Sequence, residues 1–155
     1  MSQFLSHTAV SARGDSRWQA EVHRGWRIGS VANGGYVLAL VGRTLSDALN
    51  QPDPLSINAF YLAPVALGEV EVAVESLSET RSTHFASADL LQEREPKLRA
   101  TAAYTDLDKL KRPDWTTVTP PDVPAFDHAA SLAMSPLPTP QRLDLRPVGG
   151  PARKR

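Results

Sequence analysis

The chain has 155 residues at 41% hydrophobic content, enough for one globular domain with a real core, and its balance of 17 Lys and Arg against 17 Asp and Glu gives no reason to expect a nucleic-acid partner. The absence of cysteine excludes a disulfide framework, a thiolate metal site and a cysteine nucleophile, and makes the cytoplasm the default location. Residues 1–10 lack a basic patch followed by a long apolar run, and no later segment reaches membrane-spanning length, so a soluble chain with no membrane partner is expected.

Residues 4–11 mix apolar and polar side chains in a short run that can pair with residues 17–23 across Arg13, Gly14, Asp15 and Ser16, which predicts a hairpin. Arg13-Gly14-Asp15 spells a cell-adhesion tripeptide, but without a signal peptide it reads as a turn. Trp26 is the kind of large aromatic that pins a loop onto a core, and packing is its expected role.

The stretch from Asn33 to Leu49 organises everything after it. Every residue from Tyr36 to Val41 is apolar, and Leu45, Ala48 and Leu49 continue that surface at helical spacing, so a buried helix is predicted with no face meant for water in its first turns. At ~1.5 Å per residue it is about 25 Å long, one domain diameter. Asn33 is a good N-cap, and Gly34-Gly35 lets the backbone come close to whatever lies at the helix start. Bare N–H groups there favour an anion, or an oxygen that becomes negative during a reaction. A tight pass over a neighbouring strand would explain the same glycines equally well.

Pro52 and Pro54 end the helix, because each pushes the preceding residue out of the helical region. Residues 55–62 then form a mixed aliphatic and aromatic run. Glu69 to Glu75 alternates with period two, placing Val70, Val72 and Val74 on one face and three glutamates on the other. Residues 82–92 and 97–105 read as two more strands with a turn at 93–96. A buried helix followed by a meander of half-buried strands is satisfied most simply by an antiparallel sheet curled around the helix, an α+β arrangement.

Trp26, Asn33-Gly34-Gly35-Tyr36, Pro52-Asp53-Pro54-Leu55-Ser56, Phe60-Tyr61-Leu62-Ala63-Pro64 and the strand 82–92 together resemble the hotdog superfamily. More narrowly, they are similar to the N-terminal half of the acyl-CoA thioesterase II type, actinobacterial branch, over about residues 15–106. The resemblance implies a single hotdog unit, an acyl-CoA or other acyl-thioester ligand, and a site beside the helix N-terminus built from Asn33, Gly34, Gly35, Tyr36, Asn58 and Tyr61. It implies no cofactor beyond the coenzyme A of the substrate. Because separate units of this family pair side by side, it also implies a homodimer.

Proteins of that type carry two units in one chain. Here the hotdog unit is expected over residues 1–110. Residues 111–155, holding nine of the 13 prolines, read as a linker, and 141–147 resemble the opening strand of a second unit. A thioesterase needs donors for the thioester oxygen and a carboxylate that activates water or attacks. Single-unit relatives place that carboxylate about two turns into the helix, and the matching position here is Gly42; Asp47 lies further along, where a solvated role is expected. His84 and Thr83, near where relatives have polar residues, are the remaining catalytic candidates, since a histidine can act as a base near neutral pH. His7, His23 and His128 have no ligand-like spacing, so no metal site is expected, and there is no nucleophile elbow, phosphate loop or dinucleotide fingerprint. Two readings follow: an acyl-CoA hydrolase-like protein working at an interface between two hotdog units, or a non-catalytic acyl-CoA-binding or assembly unit that lacks the carboxylate.

Overall fold

Asn33 opens the central helix: with extended backbone, it accepts the Tyr36 N–H on its side-chain oxygen at 3.1 Å and caps α2 (Gly34–Leu49). The helix stops before the prolines. Asn50 adopts a left-handed conformation, φ 50° and ψ 37°, which an asparagine tolerates better than most residues. A computed structural model describes residues 2–110, 117–119, 121–129 and 146.

The six-stranded antiparallel sheet has the order β1-β2-β6-β7-β8-β5, with β1 (Val10–Gly14), β2 (Arg17–Val22), β5 (Asp53–Tyr61), β6 (Gly68–Glu79), β7 (His84–Gln92) and β8 (Glu95–Thr105). A small ribbon, β3 (Arg27–Ile28) with β4 (Val31–Ala32), leads into α2. The sheet wraps the helix, and α2 touches all six strands. Its buried side is Tyr36, Val37, Leu40, Val41, Thr44, Leu45 and Leu49, and the Thr44 hydroxyl is satisfied by the Leu40 carbonyl at 3.0 Å. Facing it are Val70, Val72 and Val74 on β6, Ala86, Ala88 and Leu90 on β7, and Leu98, Ala100, Ala102 and Tyr104 on β8. Four alanines on β7 and β8 leave room for the helix to lie close to the sheet.

Three expectations need correction. Residues 53–105 are not one meander: β6, β7 and β8 are, but β5 lies at the far edge and pairs with β8. That leaves β6 free to pair with β2 from Arg17–Ala73 to Val22–Gly68, while the connection after β5 is held by the Val65 carbonyl, which accepts the Ala32 N–H at 2.9 Å. The first strand of the hairpin starts only at Val10. Before it, Gln3–His7 forms a short helix, α1, capped by the Ser2 side chain and anchored by aromatic contacts of Phe4 and His7. The early turns of α2 do have an open face, since Gly35 is exposed and Leu38 and Ala39 are half-buried.

The β1–β2 and β7–β8 turns are two residues long with positive φ at each, Asp15 and Ser16 (48° and 55°) and Glu93 and Arg94 (55° and 67°), as the right-handed twist of paired strands favours. Glu95 and Pro96 belong to β8; Pro96 sits opposite Leu91 where the register shifts, a place in a sheet that accepts proline.

The chain divides into two compact units, Met1–Leu110 and Lys111–Arg155. In the second, the Arg146 guanidinium lies 4.4 Å over the Phe126 ring and donates to the carbonyls of Phe126 and Ala129, at 2.8 and 3.1 Å, across a short 3-10 turn at Phe126–His128. Apart from Arg146, the strand expected at 141–147 lies outside the described residues.

Candidate functional site

Two donors at the head of α2 remain open. Asn33 takes the Val37 N–H on its carbonyl at 3.0 Å and the Tyr36 N–H on its side chain, and among the described residues no hydrogen bond engages the N–H of Gly34 or Gly35. With the positive end of the helix dipole behind them, these groups favour an oxygen that carries or gains negative charge. Both glycines sit where an added side chain would be tight. A Cβ on Gly34 would stand 3.2 Å from the Tyr61 ring, and one on Gly35 would stand 3.2 Å from the Asn33 side-chain oxygen. The Tyr61 hydroxyl donates to the Gly34 carbonyl at 3.0 Å.

Tyr36 points the other way, into the core. Its ring stacks on Trp26 at 5.4 Å, its hydroxyl donates to the His7 carbonyl at 2.6 Å, and it accepts the His23 N–H at 3.3 Å. Burial raises its pKa above the ordinary phenol value; the His23 hydrogen bond opposes this and the Glu21 charge adds to it.

From Gly35 a cleft of about 450 Å³ runs along the open face of α2, past Leu38, Ala39, Gly42, Arg43 and Ser46. These positions are three or four residues apart, so they form one stripe on the helix. Phe4, Leu5 and Thr8 of the first helix flank the stripe, as do Pro52, Pro54, Ile57 and Tyr104. None of the cleft-lining residues is a carboxylate or a histidine. At Gly42 an added Cβ would meet the Tyr104 hydroxyl at 3.5 Å, an ordinary contact, and that hydroxyl donates to the Gly42 carbonyl at 2.9 Å. Burial pushes the Tyr104 pKa up to about 12, so the phenol keeps its proton and stays a donor.

The structure brings Asn33, Gly34, Gly35 and Tyr61 together and places the other expected site residues elsewhere. Asn58 pairs with Thr101 on β8, on the sheet face turned away from α2, whereas Ile57, Ala59 and Tyr61 face inward. His84 pairs with Tyr104, six residues along β8 from Leu98, the partner of Tyr61, a separation of about 20 Å along the strand. Its Nε2 contacts the Ser76 hydroxyl at 2.8 Å, while its Nδ1 is buried and unpaired. The Thr83 carbonyl closes a local turn by accepting the Thr80 N–H at 2.8 Å. Asp47 accepts from the Trp18 indole at 2.8 Å on an exposed stretch of α2. Among the described residues, no group of three or more His, Asp or Glu is placed to hold a metal.

Residues 22–105 match the acyl-CoA thioesterase N-terminal domain family. The chain belongs to that family. A protein described as a thioesterase II from Thermobifida fusca shares 24% identity at a TM-score of 0.80, covering 90% of this chain and 51% of its own. A conserved hotdog-fold protein of unknown function from Alicyclobacillus acidocaldarius shares 22% at a TM-score of 0.73, covering 89% and 52%. A thioesterase from Haemophilus influenzae shares 24% at 0.58, covering 65% and 80%. The chain thus has the hotdog fold and spans about half the length of the first two relatives. No curated protein matches it. Within the thioesterase domain, the matched stretch takes in α2, Tyr61 and Tyr104 but not the first helix with Phe4 and Leu5.

Sequence reasoning missed Tyr104 and the first helix. The parity of β8 carried a signal for the tyrosine, because Leu98, Ala100, Ala102 and Tyr104 alternate inward.

Proposed function

We propose that the chain hydrolyses acyl-CoA or a related acyl thioester at an interface between two hotdog units. The observation that carries this reading is the pair of open N–H groups on Gly34 and Gly35, at the head of an apolar cleft in a chain of this family. The thioester oxygen takes those donors. As water adds to the carbonyl carbon, charge gathers on that oxygen and the fixed donors stabilise it. The carbon–sulfur bond then breaks, the thiolate of coenzyme A takes up a proton released by the attacking water, and the free acid leaves. Coenzyme A enters as part of the substrate and no further cofactor is used. His84, whose partner Tyr104 is about 20 Å along β8 from the partner of Tyr61, and Thr83 next to it in the chain enter this scheme only as groups acting from a different part of the site.

The second unit is proposed to be another copy. The β5 edge supports this: nine residues long and unpaired on one side among the described residues, it exposes Leu55, Phe60 and Tyr61. The cytoplasm is the proposed location, and a chain without cysteine has no disulfide to lose there.

One observation favours the alternative, an acyl-binding or assembly unit without catalysis: the cleft has no carboxylate, and the position that resembles the family's catalytic one is Gly42. Purified chain is assayed for thiol release from a panel of acyl-CoA thioesters, with Gly34→Val as the control that drives a branched side chain into the Tyr61 ring. Turnover lowered by about 10² or more in the control is the expected result, the scale for losing an oxyanion donor. Saturable binding without turnover would select the alternative, and neither would reject both. Light scattering checks the assembly, for which a dimer is expected and a monomer would be a contradiction.

A further inference from the structure

The first helix is the wall of the cleft that the family match does not cover, and its attachment is specific. The Trp26 indole donates to His7 Nδ1 at 3.1 Å, the His7 ring stacks on His23 with centroids 4.1 Å apart, and the Tyr36 hydroxyl donates to the His7 carbonyl. Phe4 meets the Trp26 ring edge-on at 5.4 Å. These contacts fasten a five-residue helix, too short to be stable alone, against the loop that leads into α2. Thr8, 3% exposed, closes its end by donating to the Phe4 carbonyl at 2.9 Å.

What the helix presents to the cleft is apolar and only partly covered. Phe4 is 41% exposed and Leu5 53%, and both flank the stripe of Gly35, Leu38, Ala39 and Gly42. Pro54 and Ile57 of β5 line the same cleft. Gly35, Ala39 and Gly42 keep the floor of the groove low, so its width is decided by the walls. Two exposed large apolar side chains fixed beside an apolar groove leave apolar area in water that a ligand gains by covering.

We propose that Phe4 and Leu5 set the bulk of the acyl group admitted to the cleft, and that His7 is the positioning residue that holds them there. The proposal rests on the acyl-thioester reading above. The occupant is the acyl chain of the thioester: Gly35 belongs both to the open helix start and to the cleft, so a thioester whose oxygen sits on the Gly34 and Gly35 N–H groups has its acyl group beside the stripe. A straight chain passes between the walls, whereas a branched or aromatic group meets Leu5.

The test measures equilibrium binding of straight-chain, branched and aromatic acyl-CoA thioesters to the full chain. For Leu5→Ala, affinity for branched and aromatic ligands rises about tenfold relative to the straight chain, the scale of a methylene or two in an apolar pocket. Leu5→Trp moves the ratio the other way. His7→Phe keeps a ring but loses the acceptor for Trp26, and shifts the ratio as Leu5→Ala does; His7→Asn restores an acceptor and returns the wild-type ratio. A general loss of stability would weaken all ligands alike and would not reverse between alanine and tryptophan. Unchanged ratios in both Leu5 variants, with straight-chain binding intact, would overturn this inference alone. No binding of any acyl-CoA by the wild-type chain would overturn it together with the proposed function.

Discussion

The two sides of α2 are built to different rules. The side against the sheet is filled: Leu40, Val41, Thr44 and Leu45 are fully buried, and even the one hydroxyl among them has a partner. The other side, Gly35, Leu38, Ala39, Gly42 and Ser46, is made of small or half-buried residues and borders open space. A helix of a small domain could have been packed all round. Leaving one stripe thin gives up burial energy on that side of the helix, so stability is carried mainly by the face against the sheet.

The largest effect should separate the faces directly. Leu40→Ala removes a side chain with no exposure and leaves a cavity, so unfolding by urea should show a loss of about 2–5 kcal/mol. Leu38→Ala, on the cleft side of the same helix, should cost less than about 1.5 kcal/mol, because a half-buried side chain gives up less apolar area and leaves no closed void. Equal losses would mean that the cleft side is as well packed as the core.

How much of this could be read from the letters follows the same division. The filled face was legible: an unbroken apolar run from Tyr36 to Val41, an asparagine cap and an alternating β6 are local patterns, and each led to the right element. The open face was not, because Leu38 and Ala39 have the same chemistry whether they meet a strand or a cleft. Nor could parity on β5 be read. Ile57, Ala59 and Phe60 put apolar residues on both faces, and the register shift between Pro54 and Ser56 breaks the count, so Asn58 and Tyr61 looked equivalent although they face opposite ways. His84 was misplaced relative to the helix start for a long-range reason, since its position depends on pairing with Tyr104 twenty residues later. A five-residue helix at the N-terminus carries too little periodicity to be recognised, and its stability comes from Trp26 and Tyr36 far along the chain.

Tyr104 stands on the seam between the faces and gives the next effect. Burial holds its pKa at about 12 in the folded state against 10.0 ordinarily, so the folded protein binds that proton more tightly than the unfolded chain. Its contribution is therefore complete below pH 10 and is lost as pH rises toward 12, with a slope approaching about 1.4 kcal/mol per pH unit. Tyr36, also raised by burial, acts in the same direction. Denaturation followed across alkaline pH should show this decline, and Tyr104→Phe should flatten it while lowering stability at neutral pH by about 0.5–1.5 kcal/mol, because the hydrogen bond to the Gly42 carbonyl is lost. A decline of the same steepness in the variant would show that the phenol's burial is not the cause.

Gly42 tests whether the thin face is kept thin at a cost. A glycine inside a helix is worth about 0.5–1 kcal/mol less than alanine, and a Cβ at this position meets only ordinary contacts. Gly42→Ala should therefore stabilise the chain by that amount. If the cleft holds the acyl group, the same methyl should weaken ligand binding, so stability and affinity would move in opposite directions. Joint improvement would mean that the glycine serves neither packing nor the ligand.

The outer face of the sheet supplies the smallest effect and the reference for the others. Arg99 on β8 makes two hydrogen bonds of 2.7 Å to Asp89 on β7, and its side chain is 61% exposed. Paired charges of this kind are well oriented yet largely screened by water, and Arg99→Ala should change stability far less than Leu40→Ala does. Raising the salt concentration should shrink even that difference. A loss as large as that of Leu40→Ala would mean that this face is covered in the folded state, with the ion pair shielded from solvent, and the contrast between a filled inner side and a solvated outer side would have to be redrawn around whatever covers it.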